Sequence, residues 1–222
     1  MNNDDPKGKE MQIKRYYEIR EIRALDPTDD DPSATVEGLA IPYEVYTNVG
    51  GWFKEIIKRG ALDGADLKDV PLFIHHQSRA IPLARSRNNN NNSTMQLTVE
   101  NRGLNFMAKL DIENNADAKA LYSGVKRGDV TGMSYAFSVK EEKWLDLDSD
   151  LPTREIYKFQ KIYEISALWS PQYEETSIMA RANALDSVDK VALESAQASL
   201  ESEKNEQRWL SELKKSILRR DE

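Results

Sequence analysis

Three places in this sequence hold side chains whose types suit acid–base or nucleophilic chemistry. The first is Phe73-Ile74-His75-His76-Gln77, which carries the only histidines of the chain. Imidazole is the side chain best suited to take and return a proton near neutral pH. The second is Gly128-Asp-Val-Thr-Gly132-Met-Ser134-Tyr-Ala-Phe137. A serine entering a strand just after a glycine-containing turn has the placement of a nucleophile, with backbone N–H groups close by to stabilise an oxyanion. Position 136 is Ala, so this is not the G-x-S-x-G elbow. The third is Lys161-Ile-Tyr-Glu164-Ile-Ser166-Ala-Leu-Trp-Ser-Pro171. An unpaired carboxylate in an apolar strand is costly, so Glu164 either faces solvent or has a partner such as a histidine. Together these supply a base, a nucleophile and an orienting carboxylate, a set defined by geometry and role rather than by chain order. Each also has a plainer reading: a histidine with a satisfied ring, a strand serine bonded locally, a glutamate in water. The residues alone leave both readings open.

The elements that must carry these groups are mostly strands. Gln12–Leu25 mixes aromatic and β-branched residues with charges in an imperfect alternation, and strand is favoured over helix. Asp26–Ser33, rich in Asp and Pro, is a turn or loop. Thr35–Ile41 reads as a strand ended by Pro42. Phe53–Arg59 is expected to form a short helix, with Phe53, Ile56 and Ile57 on one face and Gly60 as its stop. Val70–Ile74 suits a buried strand leading into the histidines, where only one of the neighbouring pair can face a given site. The run Asn88–Asn92 is a loop with nothing to bury. Met95, Leu97 and Val99, then Leu104, Phe106, Ala108 and Leu110, alternate with polar residues around Glu100–Gly103 and predict a hairpin.

Ala116–Arg127 carries Ala118, Leu121, Tyr122 and Val125 as one helical stripe, with Asn114 or Asn115 to cap it and Gly128 to end it. Strands are expected at Met133–Val139, Ile156–Gln160 and Ile162–Leu168, with an acidic loop at Asp146, Asp148 and Asp150. From Asn183 the chain has no Gly or Pro. Leu185, Val188, Ala192, Ala196 and Leu200 then space like one helical face, and Leu210, Leu213 and Ile217 like another. A solvated or coiled-coil helical tail is expected there.

Composition narrows the classes. The 222 residues include no cysteine, which removes disulfides, cysteine nucleophiles and thiolate metal sites, and two adjacent histidines are too few for a multi-histidine zinc centre. A net charge of −7 argues against a dedicated nucleic-acid binder. No apolar run approaches the roughly 18 residues of a membrane span. Met1-Asn-Asn-Asp-Asp-Pro6 lacks the basic start and apolar stretch of a secretory signal. The expectation is a soluble cytoplasmic protein with neither membrane nor nucleic acid as partner.

Several segments, in order, resemble the prohead maturation proteases of tailed bacteriophages, serine proteases similar in fold to the herpesvirus capsid-maturation protease. Glu37-Gly-Leu-Ala40 resembles the early strand of that family, and Phe53-Lys-Glu-Ile-Ile-Lys-Arg-Gly60-Ala61-Leu62 its F-x-E-x-I-x-x-G-A-F helix. Asp69-Val70, Phe73–Gln77 and Pro82-Leu-Ala-Arg85-Ser86 resemble its histidine block. Gly132-Met-Ser134-Tyr-Ala-Phe137 resembles its G-M-S-F-x-F, and Tyr163-Glu164-Ile-Ser166 to Pro171-Gln-Tyr173 its last block. The resemblance runs from about residue 35 to 181. It implies Ser134 as nucleophile, His76 as general base and Glu164 as the third member, with His75 and Arg85 as supporting candidates and no metal or cofactor.

The fold expected is α+β: a β-rich, barrel-like and mostly antiparallel protease core with a few helices, followed by a charged helical tail. The expected division is 1–34 as an N-terminal segment with an edge strand and acidic loop, 35–182 as the protease-like domain and 183–222 as the tail. The resemblance implies a serine endopeptidase acting inside the assembling procapsid, in the bacterial cytoplasm. Its substrates would be the scaffolding protein or the major capsid protein, and the protease itself, with self-association as a further candidate partnership. The alternative is a non-enzymatic capsid-assembly or scaffold-like protein working through its C-terminal helix; an unrelated β-rich binding module is a more distant one.

Overall fold

The computed structural model describes residues 12–18, 21–29, 33–77, 79–169 and 187–218. Two sheets face each other across the core. The larger runs β1 (Ile13–Glu18), β10 (Gly132–Leu145), β11 (Thr153–Leu168), β5 (Phe53–Ile57) and β4 (Tyr46–Val49). It also takes in β6 (Pro71–Ile74), which pairs with β11 and with β7 (Ala84–Arg85). The smaller is an antiparallel sheet in the order β2 (Arg23–Leu25), β3 (Ala34–Pro42), β9 (Gly103–Leu110) and β8 (Met95–Glu100). Val36, Ile41, Met95, Leu104, Phe106 and Ala108 from the small sheet, and Met133, Tyr135, Phe137 and Ile165 from the large one, are buried in one core.

Strand β11 is the spine. One edge pairs antiparallel with β10, through several register shifts that bend the hairpin. Along the other edge two strands lie parallel to it: β5 against Thr153–Ile156 and β6 against Ile165–Ala167. The first half of β10 is buried on both faces, which is why its sequence reads as a nearly continuous apolar run.

Helix α1 (Ala116–Arg127) packs Ala118, Leu121 and Val125 inward. Its N-terminus is capped by the Asn115 side chain, which accepts from the N–H groups of Asp117 and Ala118 at 3.0 and 3.1 Å. Gly128 ends it in the left-handed region at φ 79°. The Asn-rich run is not structureless, since Arg87–Asn89 forms a short turn with all three residues at positive φ. Asn89 there bonds both the N–H and the C=O of Leu97, at 2.9 and 2.7 Å.

Two expectations are corrected. Phe53–Ile57 is a strand, and its inward face is Phe53, Glu55 and Ile57. The helical reading arose because Glu55 looks like a solvent residue, leaving Phe53, Ile56 and Ile57 as the apparent stripe. In the fold Glu55 is fully buried because it is paired with Arg15. The second correction concerns helix α2 (Ser187–Leu218), whose base is not solvated: Asp189 and Leu193 are buried, the former at 1% exposure. Beyond Leu200 its described side chains are exposed, Trp209, Leu210 and Leu213 among them. Positions 183–186 lie outside the described residues. No helix among the described residues is long and apolar enough to cross a membrane.

The β8–β9 hairpin supplies a test of the packing. Gly103 sits at φ 137°, and a Cβ there would collide with the carbonyl of Ile41. Gly103→Ala is expected to lower stability by about 3 kcal/mol or more, from backbone strain and overpacking together. A denaturant midpoint unchanged from wild type would refute the close approach of β9 to β3.

Candidate active site

Ser134 lies in β10 between two neighbours, opposite Tyr16 of β1 and Ser166 of β11. Glu164 lies opposite Ala136, two positions from Ser134 on one strand and from Ser166 on the next. Side chains alternate along a strand, so Ser134, Glu164 and Ser166 share one face of the sheet. The regular pairing of β10 with β11 thus sets the distance between hydroxyl and carboxylate before any histidine arrives.

The histidine arrives on a turn. β6 ends at Ile74, and the Gln77 N–H donates back to the Ile74 carbonyl at 3.0 Å. His75 and His76 both adopt positive φ, 48° and 57°, the signature of a type I′ turn. The expectation that the pair alternates across a strand is therefore corrected. Left-handed backbone costs about 1–2 kcal/mol for each such residue without glycine's freedom. Here it is held from the side by β11: the His75 N–H donates to the Ala167 carbonyl at 3.2 Å, and the His76 N–H to Ser166 Oγ at 3.3 Å.

This turn places the His76 ring between the two groups already fixed on the sheet. Its Nδ1 contacts Glu164 Oε1 and its Nε2 contacts Ser134 Oγ. The His76 and Glu164 side chains are 7% and 8% exposed, and Ser134 is fully buried. In the neutral ring Nδ1–H donates to the carboxylate, which leaves Nε2 as acceptor for the serine proton. The same oxygen lies 2.5 Å from the backbone carbonyl of Arg15, a second acceptor for its single proton. A buried carboxylate holding an imidazole that faces a hydroxyl can orient the ring, stabilise its charged form and draw a proton from the hydroxyl.

The other two candidates stand apart from this group. The His75 ring tilts against Trp169, with centroids 3.6 Å apart, and its Nε2 accepts from the Trp169 N–H at 3.4 Å. Burial, together with the neighbouring His76, lowers its pKa, so His75 is a poor cation. The guanidinium of Arg85 is bound by Asp69, with Nε 3.0 Å from Oδ1. Arg85 pairs with Pro71, at the end of β6 away from the histidines. Pro171 and Tyr173, part of the last matching block, lie outside the described residues.

Directly behind Ser134 lies a group that the sequence reading missed. Arg15 binds Glu55 through Nε and Nη2, both at 2.7 Å, and binds Asp189 of α2 through Nη1 and Nη2, both at 2.9 Å. Arg154 bonds Asp189 Oδ1 at 2.9 Å and Glu55 Oε2 at 3.3 Å. Its Nε also reaches Glu142 at 2.9 Å. Burial opposes the charge on Arg15, but Glu55 and Asp189 outweigh it and raise the pKa well above the ordinary value. The available signal was faint: charges at the inward positions of strands otherwise apolar.

No curated protein matches the chain. Among solved structures it is similar to the bacteriophage T4 capsid assembly protease, gp21, at 13% identity and a TM-score of 0.46, over 72% of this chain and 98% of that one. Residues 19–191 match the family described as caudovirus prohead serine protease, and with most of its length inside that match the chain belongs to this family of phage capsid-maturation proteases.

Proposed function

We propose that this chain is a serine endopeptidase that cleaves scaffolding protein or the major capsid protein, and itself, inside the assembling procapsid. Ser134 is the nucleophile, His76 the general base and Glu164 the residue that orients it. The observation that carries this reading is the His76 ring, in contact with Glu164 through one nitrogen and with Ser134 through the other.

The chemistry follows from that bridge. His76 Nε2 takes the hydroxyl proton as Ser134 Oγ attacks a peptide carbonyl, and Glu164 stabilises the imidazolium that forms. Backbone N–H groups hold the tetrahedral oxyanion. As it collapses, His76 returns the proton to the departing amine, leaving an acyl-enzyme. Water then repeats the sequence with His76 as base, and releases the acid. The expected division at 35–182 makes the protease proper the region between the N-terminal segment and the tail. Asp189, buried at the base of α2, adds the start of the tail to that unit.

Ser134→Ala, co-expressed with its capsid and scaffolding proteins, is expected to lower processing by about 10⁴-fold or more. Processing that continues unchanged in that variant would sink the assignment and favour a non-enzymatic assembly role. His76→Ala should be as severe, whereas His75→Ala should stay within about tenfold of wild type, since it loses only the contact with Trp169. The reverse ranking would make His75 the base. Glu164→Gln, which keeps the shape but loses the charge, is expected to cost about 10²–10⁴-fold in kcat with the fold intact. Activity close to wild type would remove Glu164 from the mechanism.

A further inference from the structure

We propose that Asp189, on the C-terminal helix, is a positioning residue for the Ser134 hydroxyl and acts through Arg15. This rests on the reading of Ser134 as the nucleophile.

Arg15 reaches the two ends of this connection by different parts of the same residue. It lies opposite Tyr135, one step from the Tyr16–Ser134 pair, so its side chain leaves the sheet on the face away from the serine hydroxyl. Its carbonyl, in the plane of the sheet, lies 2.5 Å from that hydroxyl oxygen and is a second acceptor, beside His76 Nε2, for its single proton. The hydroxyl is thereby fixed between this carbonyl and His76 Nε2, and the carbonyl limits the rotamers open to Ser134. β1 is the end strand of its sheet, with β10 as its paired neighbour, so the carbonyl's position depends on how the rest of Arg15 is anchored.

That anchor requires Asp189. Glu55 Oε2 and Asp189 Oδ1 each bond both guanidiniums, at 2.7 and 3.3 Å for Glu55 and at 2.9 Å twice for Asp189. Cations and anions therefore alternate around a closed ring. Without the Asp189 charge, Arg15 and Arg154 are left competing for one buried carboxylate while repelling each other. Arg15 is the more easily displaced of the two, because Arg154 lies on the central strand β11 and keeps Glu142. A shift on the order of 1 Å at a reacting group costs roughly 10²-fold in rate. The start of the tail helix thus holds the nucleophile in register from the opposite side of the sheet.

A fluorophosphonate probe on the full-length chain reads this directly. Ser134 Oγ forms a bond to phosphorus, the P–F bond breaks and fluoride leaves, and the hydroxyl proton passes to His76. Asp189→Asn is expected to lower the maximal labelling rate constant at Ser134, per folded molecule, by at least about tenfold. The half-saturating probe concentration should stay within about twofold. Glu194→Gln, exposed on the same helix, should behave as wild type. If Asp189→Asn does not fold, the charge-balanced pair Arg15→Met with Asp189→Leu replaces it, and slowed labelling is again expected. An unchanged or increased rate constant in the folded variant overturns the proposal, the increase because Arg15 would then restrain the serine. Failure of the wild-type chain to label at Ser134 would instead sink the nucleophile reading, and the positioning role with it.

Discussion

The rest of the structure depends on one ring of buried charge. Arg15, Glu55, Arg154 and Asp189 come from β1, β5, β11 and α2, and all are at most 4% exposed. Isolated, each would face a desolvation penalty of several kcal/mol; alternated in a ring, the four balance in charge and fill most of one another's hydrogen-bonding capacity. Aromatic faces close around them, with Phe53 and Phe137 near Arg15 at 5.9 and 5.6 Å and Trp144 near Arg154 at 5.7 Å. Hydrophobic packing alone is non-directional. The ring adds direction, because each guanidinium fork accepts its carboxylates in few orientations. It thereby ties β1 and the start of α2 to the central strand.

The front of the same sheet uses regularity differently. Hydroxyl and carboxylate are placed by plain antiparallel pairing, whereas the imidazole requires two consecutive left-handed residues. Such backbone persists where surrounding bonds over-determine it, and β11 supplies them through Ala167 and Ser166. β11 therefore serves both sides: Glu164 and Ser166 to the site, Arg154 to the ring.

Much of the candidate site was legible from the sequence, and much of what supports it was not, for one physical reason. Ser134, Glu164 and the histidine pair were candidates because each is a reactive residue in an otherwise apolar or glycine-marked segment, and the family resemblance singled out His76. The β8–β9 hairpin and α1 were legible because their buried residues are apolar and their outward ones polar. Where the inward residue is a charge, the pattern inverts. Glu55 turned a strand into an apparent helix, Arg15 blurred the alternation of β1, and Asp189 made the base of α2 look solvated. Each charge is stable inside only because of partners up to 174 positions away, which no local pattern displays. The histidine turn was hidden differently: neither residue is glycine, so nothing in the sequence marked a left-handed backbone.

The same separation fixes when the ring can exist. A ribosome delivers Asp189 174 positions after Arg15, so the ring cannot close on a growing chain until the start of α2 has emerged. Until then β1 has only part of its anchor, and β10, its pairing partner, emerges well after it. Order of synthesis is thus built into the fold as a clock: the completed cluster appears only after β1, β5, β11 and the start of α2 have all been made.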